Sequence, residues 1–167
     1  MAFLRNIFAD LARVKRLPDQ QVELTNFGLM DAGAPAPILL LGEHRAALGY
    51  YLNDTPVDWD GKTVHLRDPN EDVSPMALIE IEGIVGTKSF PTTQPDHEHP
   101  EFPGVFECVC EIKNSNWAER ACFNHSKHLV FAFHDTVIEF LCSSYEVYFV
   151  TSTSFGLVPR MRSYVFD

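Results

Sequence analysis

A carboxylate, an imidazole and a phenol gathered on one sheet face could move a proton or grip a ligand, and the C-terminal third of this chain offers such a set. Residues 128–134, 137–142 and 145–150 are three closely spaced runs of alternating apolar side chains. Tight turns at Asp135-Thr136 and Ser143-Ser144 would set Phe133 opposite Ile138, Phe131 opposite Phe140 and Leu129 opposite Cys142. The third run then continues the same face, with Phe149 beside Ile138, Val147 beside Phe140 and Tyr145 beside Cys142. One register satisfies all three strands, and a slip of one residue would send each apolar set to the opposite side. On the reverse face that register sets Glu139 between Ala132 and Tyr148, with His134 diagonally adjacent and Val130, Leu141 and Val150 around them. Apolar surroundings and close partners shift the proton affinities of such groups. His134, Glu139 and Tyr148 are therefore the candidate binding residues. The competing reading of that face is a satisfied hydrogen-bond network, or a face covered by the N-terminal helix.

Metal-ligand spacing is the next chemistry to test. Cys122, His125 and His128 place three sulfur or nitrogen donors within seven residues, and His97 with His99 adds a pair beside Asp96 and Glu98. Zinc sites usually add a second ligand pair at CxxC or HxxxH spacing, and none is present. Cys108 and Cys110 alternate onto an apolar face instead, and His97 and His99 lie in a proline-rich stretch where solvation accounts for them. No metal or other cofactor is expected. Nor is there a G-x-S-x-G elbow, a glycine loop that cradles phosphate or a dinucleotide fingerprint.

Charge bears on partners. The 167 residues carry 13 Lys and Arg against 23 Asp and Glu, a net charge of −10. Residues 1–17 hold +3 of this, so the remaining 150 residues stand at −13. A body that acidic repels phosphate backbones, which excludes nucleic acid as the expected partner. The four cysteines, Cys108, Cys110, Cys122 and Cys142, read as reduced, since the apolar N-terminal residues are broken by Arg5, Asn6 and Asp10 and form no secretory core. The expected location is cytoplasmic.

These groups need elements to hold them. Leu4, Ile7, Phe8, Leu11 and Val14 share one face of a helix over residues 1–17, with Arg13, Lys15 and Arg16 at its negative end and Pro18 after it. Its plain role is to cover a β core; contact with a membrane surface is the alternative. Beyond Pro18 the period becomes two. Residues 21–30 read as a strand, 38–41 and 46–52 as a hairpin around Gly42–Arg45, 63–67 as the outgoing strand after the Asp60-Gly61 turn, 77–85 as a strand and 91–103, with four prolines, as an irregular loop. In residues 106–112, Phe106, Cys108, Cys110 and Ile112 face one way and Glu107 and Glu111 the other.

The pattern predicts one domain over residues 1–167. It is mainly β, at the margin of α+β: an antiparallel sandwich or partly open barrel with one N-terminal amphipathic helix. Strong charge without a recognisable catalytic set points to a non-catalytic binding protein whose acidic surface recognises a basic protein partner, as an immunity or inhibitor protein does. The alternative is a small-molecule-binding β domain, or a small enzyme, built on His134, Glu139 and Tyr148.

Overall fold

The computed structural model describes residues 17–31, 36–54, 67–92, 99–105, 107–122 and 125–167. The helix expected at residues 1–17 and the strand at 63–67 fall almost wholly outside these. Nine strands are described: β1 (Gln20–Glu23), β2 (Ile38–Leu41), β3 (Arg45–Tyr51), β4 (Ser74–Glu82), β5 (Gly86–Pro91), β6 (Cys108–Lys113), β7 (Lys127–Ala132), β8 (Thr136–Cys142) and β9 (Ser144–Ser152). All pairings are antiparallel, and they form two sheets, β1-β6-β7-β8-β5 and β2-β3-β4-β9. The sheets do not close into a barrel. Among the described residues no helix is long and apolar enough to cross a membrane.

Alternation decides what each face meets. Ala46, Leu48 and Tyr50 of β3 and Ala77, Ile79 and Ile81 of β4 point inward to Leu129 and Phe131 of β7 and Ile138, Phe140 and Cys142 of β8. Phe27, in a single 3-10 turn after β1, plugs this layer edge-on against Phe131, with ring centres 5.6 Å apart, and the Tyr50 hydroxyl donates to its carbonyl. The reverse face of the four-stranded sheet buries Ala47, Met76 and Leu78 under Leu157, Met161 and Val165 of α2 (Ser154–Phe166). Those three recur every fourth residue, and Thr153 caps the helix by accepting from the Gly156 N–H, so the helix had a sequence signal. Pro159 inside it obscured that signal. The reverse face of the five-stranded sheet is covered by Phe102 and Val105 from the proline-rich loop and by the short helix α1 (Asn116–Arg120).

Two expected registers change. The β7–β8 hairpin pairs Phe131 with Ile138 and Leu129 with Phe140, two residues away from the expected match. Its turn centres on His134-Asp135, where Phe133 N–H bonds to the Thr136 carbonyl at 2.8 Å. A two-residue slip keeps every side chain on its face, so periodicity was blind to it. The second change is larger, because β9 pairs with β4, from Ser74↔Ser152 to Glu82↔Ser144, and not with β8. Val147 and Tyr145 do pack on the layer holding Phe140 and Cys142, but across the sandwich. An apolar face on a neighbouring strand and one on the facing sheet carry the same alternation.

One corner joins the two sheets. The ladder of β4 with β9 continues into that of β5 with β8, from Gly86↔Leu141 onward, so two chain segments form one bent ribbon. At the bend three residues, Gly83, Ile84 and Val85, face two, Cys142 and Ser143. The extra residue is a β-bulge, which bends the ribbon from one sheet into the other. Gly83 sits there at φ 65°, and a Cβ on it would collide with the Ser143 side chain, whose own Cβ is 2.7 Å away. Backbone conformation and close approach both call for glycine. Gly83→Ala should therefore lower unfolding free energy by about 1–3 kcal/mol. Urea denaturation checks this, and a midpoint equal to wild type would show that the corner relaxes without cost.

Candidate functional site

Glu139 is the centre of the polar chemistry, and its partners are not the expected ones. It stands mid-strand on β8, opposite Val130 of β7 and Lys88 of β5, on the face that looks away from the central core. Its side chain is 0% exposed. Oε1 lies 2.8 Å from His99 Nε2, while Oε2 lies 3.1 Å from His128 Nε2 and 3.1 Å from Lys88 Nζ. Three N–H donors thus surround one carboxylate. His128 comes from β7, two residues before Val130 and hence on the same face; Lys88 comes from the edge strand; His99 comes from the proline-rich loop.

The far sides of both imidazoles set their proton positions. His99 Nδ1 accepts from the backbone N–H groups of Glu101 and Phe102, at 2.9 and 3.1 Å. That leaves the proton on Nε2, directed at Glu139. His128 Nδ1 lies 2.8 Å from Ser115 Oγ, and that oxygen accepts from the Ala118 N–H at the start of α1. With the Ser115 hydroxyl donating to Nδ1, the His128 proton also sits on Nε2 and faces the carboxylate. Phe90 and Phe102 close over the His99 ring, and Trp117 stands edge-on to His128.

Burial pushes the Glu139 carboxyl toward its neutral form, but hydrogen bonds from His128 and His99 and the electrostatic pull of His128 and Lys88 overcome it. The group is held well below the ordinary carboxylate range. It is ionised and nearly saturated with donors, a poor base and no acid. The row Ser115–His128–Glu139 has the connectivity of a nucleophilic triad, yet Ser115 is buried and serves as the cap of α1. What this row does is tie α1 to β7 and β8, while His99 ties the proline-rich loop to the same carboxylate.

Of the three candidate residues, only Glu139 belongs to this centre. His134 occupies the turn, where its Nδ1 lies 3.0 Å from Glu107 Oε1, because the register shift removes it from the sheet face. Tyr148 is on the other sheet, where its hydroxyl bonds to Glu146, and that carboxylate pushes the phenol up to about 12. The expected cluster of His134, Glu139 and Tyr148 is not assembled. Cys122 and His125 are exposed while His128 turns inward to Glu139, and His97 lies outside the described residues. Among the described residues no group of three or more His, Cys, Asp or Glu is placed to hold a metal ion. His99 is moreover wired the wrong way for a ligand: a metal-bound imidazole donates from its second nitrogen, whereas Nδ1 here accepts. His99, expected to be solvated, is 2% exposed.

Beside this centre lies a cleft of about 230 Å³ whose walls include Lys88, Phe102, Trp117, Arg120, His128 and Asp19. Trp117 fits there because Gly86 has no side chain; a Cβ would stand 2.8 Å from the indole. The Lys88 ammonium lies 4.4 Å from the centre of that ring. Compared with known proteins, the chain matches no family model, no curated protein and no solved structure.

In Glu139→Gln one amide oxygen can serve a single imidazole, while the amide N–H₂ confronts another donor. The substitution should cost about 2–4 kcal/mol of stability. Since the folded state holds this carboxyl below its ordinary value of 4.5, its stabilisation is complete above that pH and is lost as pH falls beneath it. The gap between wild-type and Glu139→Gln stabilities should be widest near neutrality and narrow in acid. Equal unfolding midpoints at pH 7 would refute the structural role.

Proposed function

We propose that this chain is a non-catalytic binding protein that recognises a basic protein partner through its acidic surface, in the manner of an immunity or inhibitor protein. The observation that carries this reading is the distribution of charge. Among the described residues twelve carboxylate side chains are exposed, against four exposed Lys or Arg. The cations are largely engaged within the chain. Arg67 bonds to Asp31 and Asp54, Lys88 to Glu139, Lys113 to Glu111 and Arg160 to Glu80. What projects into solvent is a negative field, which speeds encounter with a positive surface and turns away like-charged competitors.

The polar interior supports the same reading, since Glu139 and its partners are directed at one another. Cys110 and Cys142 are buried thiols among apolar side chains, which supports a reducing compartment and, on this reading, a cytoplasmic location. Small-molecule binding is a second reading, favoured only by the cleft between Lys88 and Trp117. A bound molecule there would appear as a mass excess under native but not denaturing mass spectrometry.

Acidic recognition has a kinetic signature. Proteins captured on the immobilised chain at low ionic strength should, once purified, be basic, and their association rates should fall steeply as salt is raised while dissociation rates change little. Binders that are acidic, or whose association rates ignore salt, would overturn the proposal.

A further inference from the structure

We propose that the outer edge of β9 docks an extended, basic segment of a partner protein, which joins the sheet β2-β3-β4-β9 as a fifth strand. The inference rests on the acidic-recognition reading above and gives it a location.

The first observation is the edge itself. β9 is a terminal strand of its sheet, and among the described residues no strand pairs with its outer side. At nine residues it spans about 30 Å, and among the described residues no strand takes up the donors and acceptors of its outer side. None of its residues is fully buried, whereas its ladder partner β4 and its predecessor β8 are buried along most of their length. Sheets normally blunt such an edge with proline, lysine, a bulge or a very short strand. The sequence SYEVYFVTS contains no proline, lysine or glycine, and the one bulge of the ribbon falls before β9 begins. Tyrosine, valine, phenylalanine and threonine dominate, the residues that favour pairing. Phe149 stands 57% exposed, and Leu29, next to the Gly28 that approaches the Phe149 ring, is 73% exposed. The edge is a pairing template with an apolar anchor.

The second observation is charge, and it selects the occupant. Glu146 projects from β9 and lies directly opposite Glu80 on β4, a like-charge pair that costs stability. Exposed Glu82 follows at the corner end, and Asp68, Glu71 and Asp72 precede β4 at the other end, where Ser74 pairs with Ser152. The nearby cations are already committed. Arg160 bonds to Glu80 and stacks on the Tyr148 ring, and Lys127 sits over Tyr145. An incoming strand with lysine or arginine at alternate positions would meet Glu146 toward the corner end and Asp68, Glu71 and Asp72 beyond the other end. A second copy of this chain would instead bring the same carboxylates from both sides, at −10 each.

The probes are a ten-residue peptide of alternating valine and lysine and its valine–glutamate counterpart. The double variant Glu146→Lys, Phe149→Lys changes only exposed positions. Leu41→Lys, Glu43→Lys makes the same changes of residue class on and beside β2, the opposite edge of the sheet. Each variant's thermal melt verifies folding. We expect the lysine peptide to bind wild type and the β2-edge variant alike, to bind the β9 variant about tenfold more weakly, and to slow amide exchange in β9. The glutamate peptide should not bind. Equal weakening by both variants, or exchange protection away from β9, would overturn the edge while leaving acidic recognition standing. Failure of the lysine peptide to bind at any salt concentration, together with salt-independent association of the captured proteins, would overturn both.

Discussion

A buried negative charge organises one half of this molecule. Glu139 is taken out of water entirely, and a carboxylate in such a place persists only when donors replace its hydration. The three that do so come from three different segments: the edge strand β5, the strand β7 and the proline-rich loop. Lys88 and His99 are remote from Glu139 in sequence and His128 stands across the β7–β8 hairpin, so satisfying one charge fixes two long-range relationships and one hairpin at once. The loop has no ladder of its own across His99–Val105, and it is held by His99 pointing inward and by Phe102 and Val105 packing beside it. The short helix α1 is held in turn through Ser115 and His128. The outer layer of the five-stranded sheet is thus assembled from pieces with little intrinsic preference for order.

The other half is governed by backbone geometry. One surplus residue at the Gly83 corner lets a single ribbon serve both sheets, and it exchanges the roles of the two ribbon segments as it passes. β8 is interior to its sheet, flanked by β7 and β5, but its continuation β9 has only β4 beside it. β4 is interior, flanked by β3 and β9, but its continuation β5 is an edge. The two edges meet different fates. One face of β5 carries Lys88 and is closed by Trp117 against Gly86, leaving Thr87, Ser89 and Pro91 exposed on the other, whereas β9 carries exposed Phe149 and Glu146 on opposite faces.

Much of this was legible as alternation. The β2–β3 hairpin, the strands β4 and β6, and the inward faces of β7 and β8 follow from period-two patterns that only one burial can satisfy. What the pattern lacks is distance. It cannot separate a partner in the same sheet from one on the facing sheet, which is why β9 was expected beside β8. It cannot detect a slip of two residues, which is why His134 was expected beside Glu139 and is instead a turn residue. His128 did have a signal: it shares parity with Val130 and Ala132, the face that meets Glu139 once the hairpin closes on His134-Asp135. Lys88 had almost none, because β5 is an edge strand whose alternate residues Thr87 and Ser89 are exposed. His99 had none at all, since a loop residue reaches its partner through the path of the chain and not through periodicity.

The two halves together support the proposed reading that recognition lies at the surface. Protein chemistry at neutral pH needs a group that is poised to change its protonation or is unsatisfied until a substrate arrives. Here the most buried acid is held ionised by three donors, His99 is oriented by two backbone N–H groups, and Ser115 caps a helix. Among the described residues no buried side-chain nitrogen or oxygen lacks a hydrogen-bond partner. An interior so completed is suited to rigidity, and rigidity is what a recognition surface requires. A strand edge presents a straight ladder only if the sheet behind it does not yield, and β4, buried at most of its positions, is that backing. On the proposed reading, the order inside the sandwich would lower the conformational cost of binding at its rim.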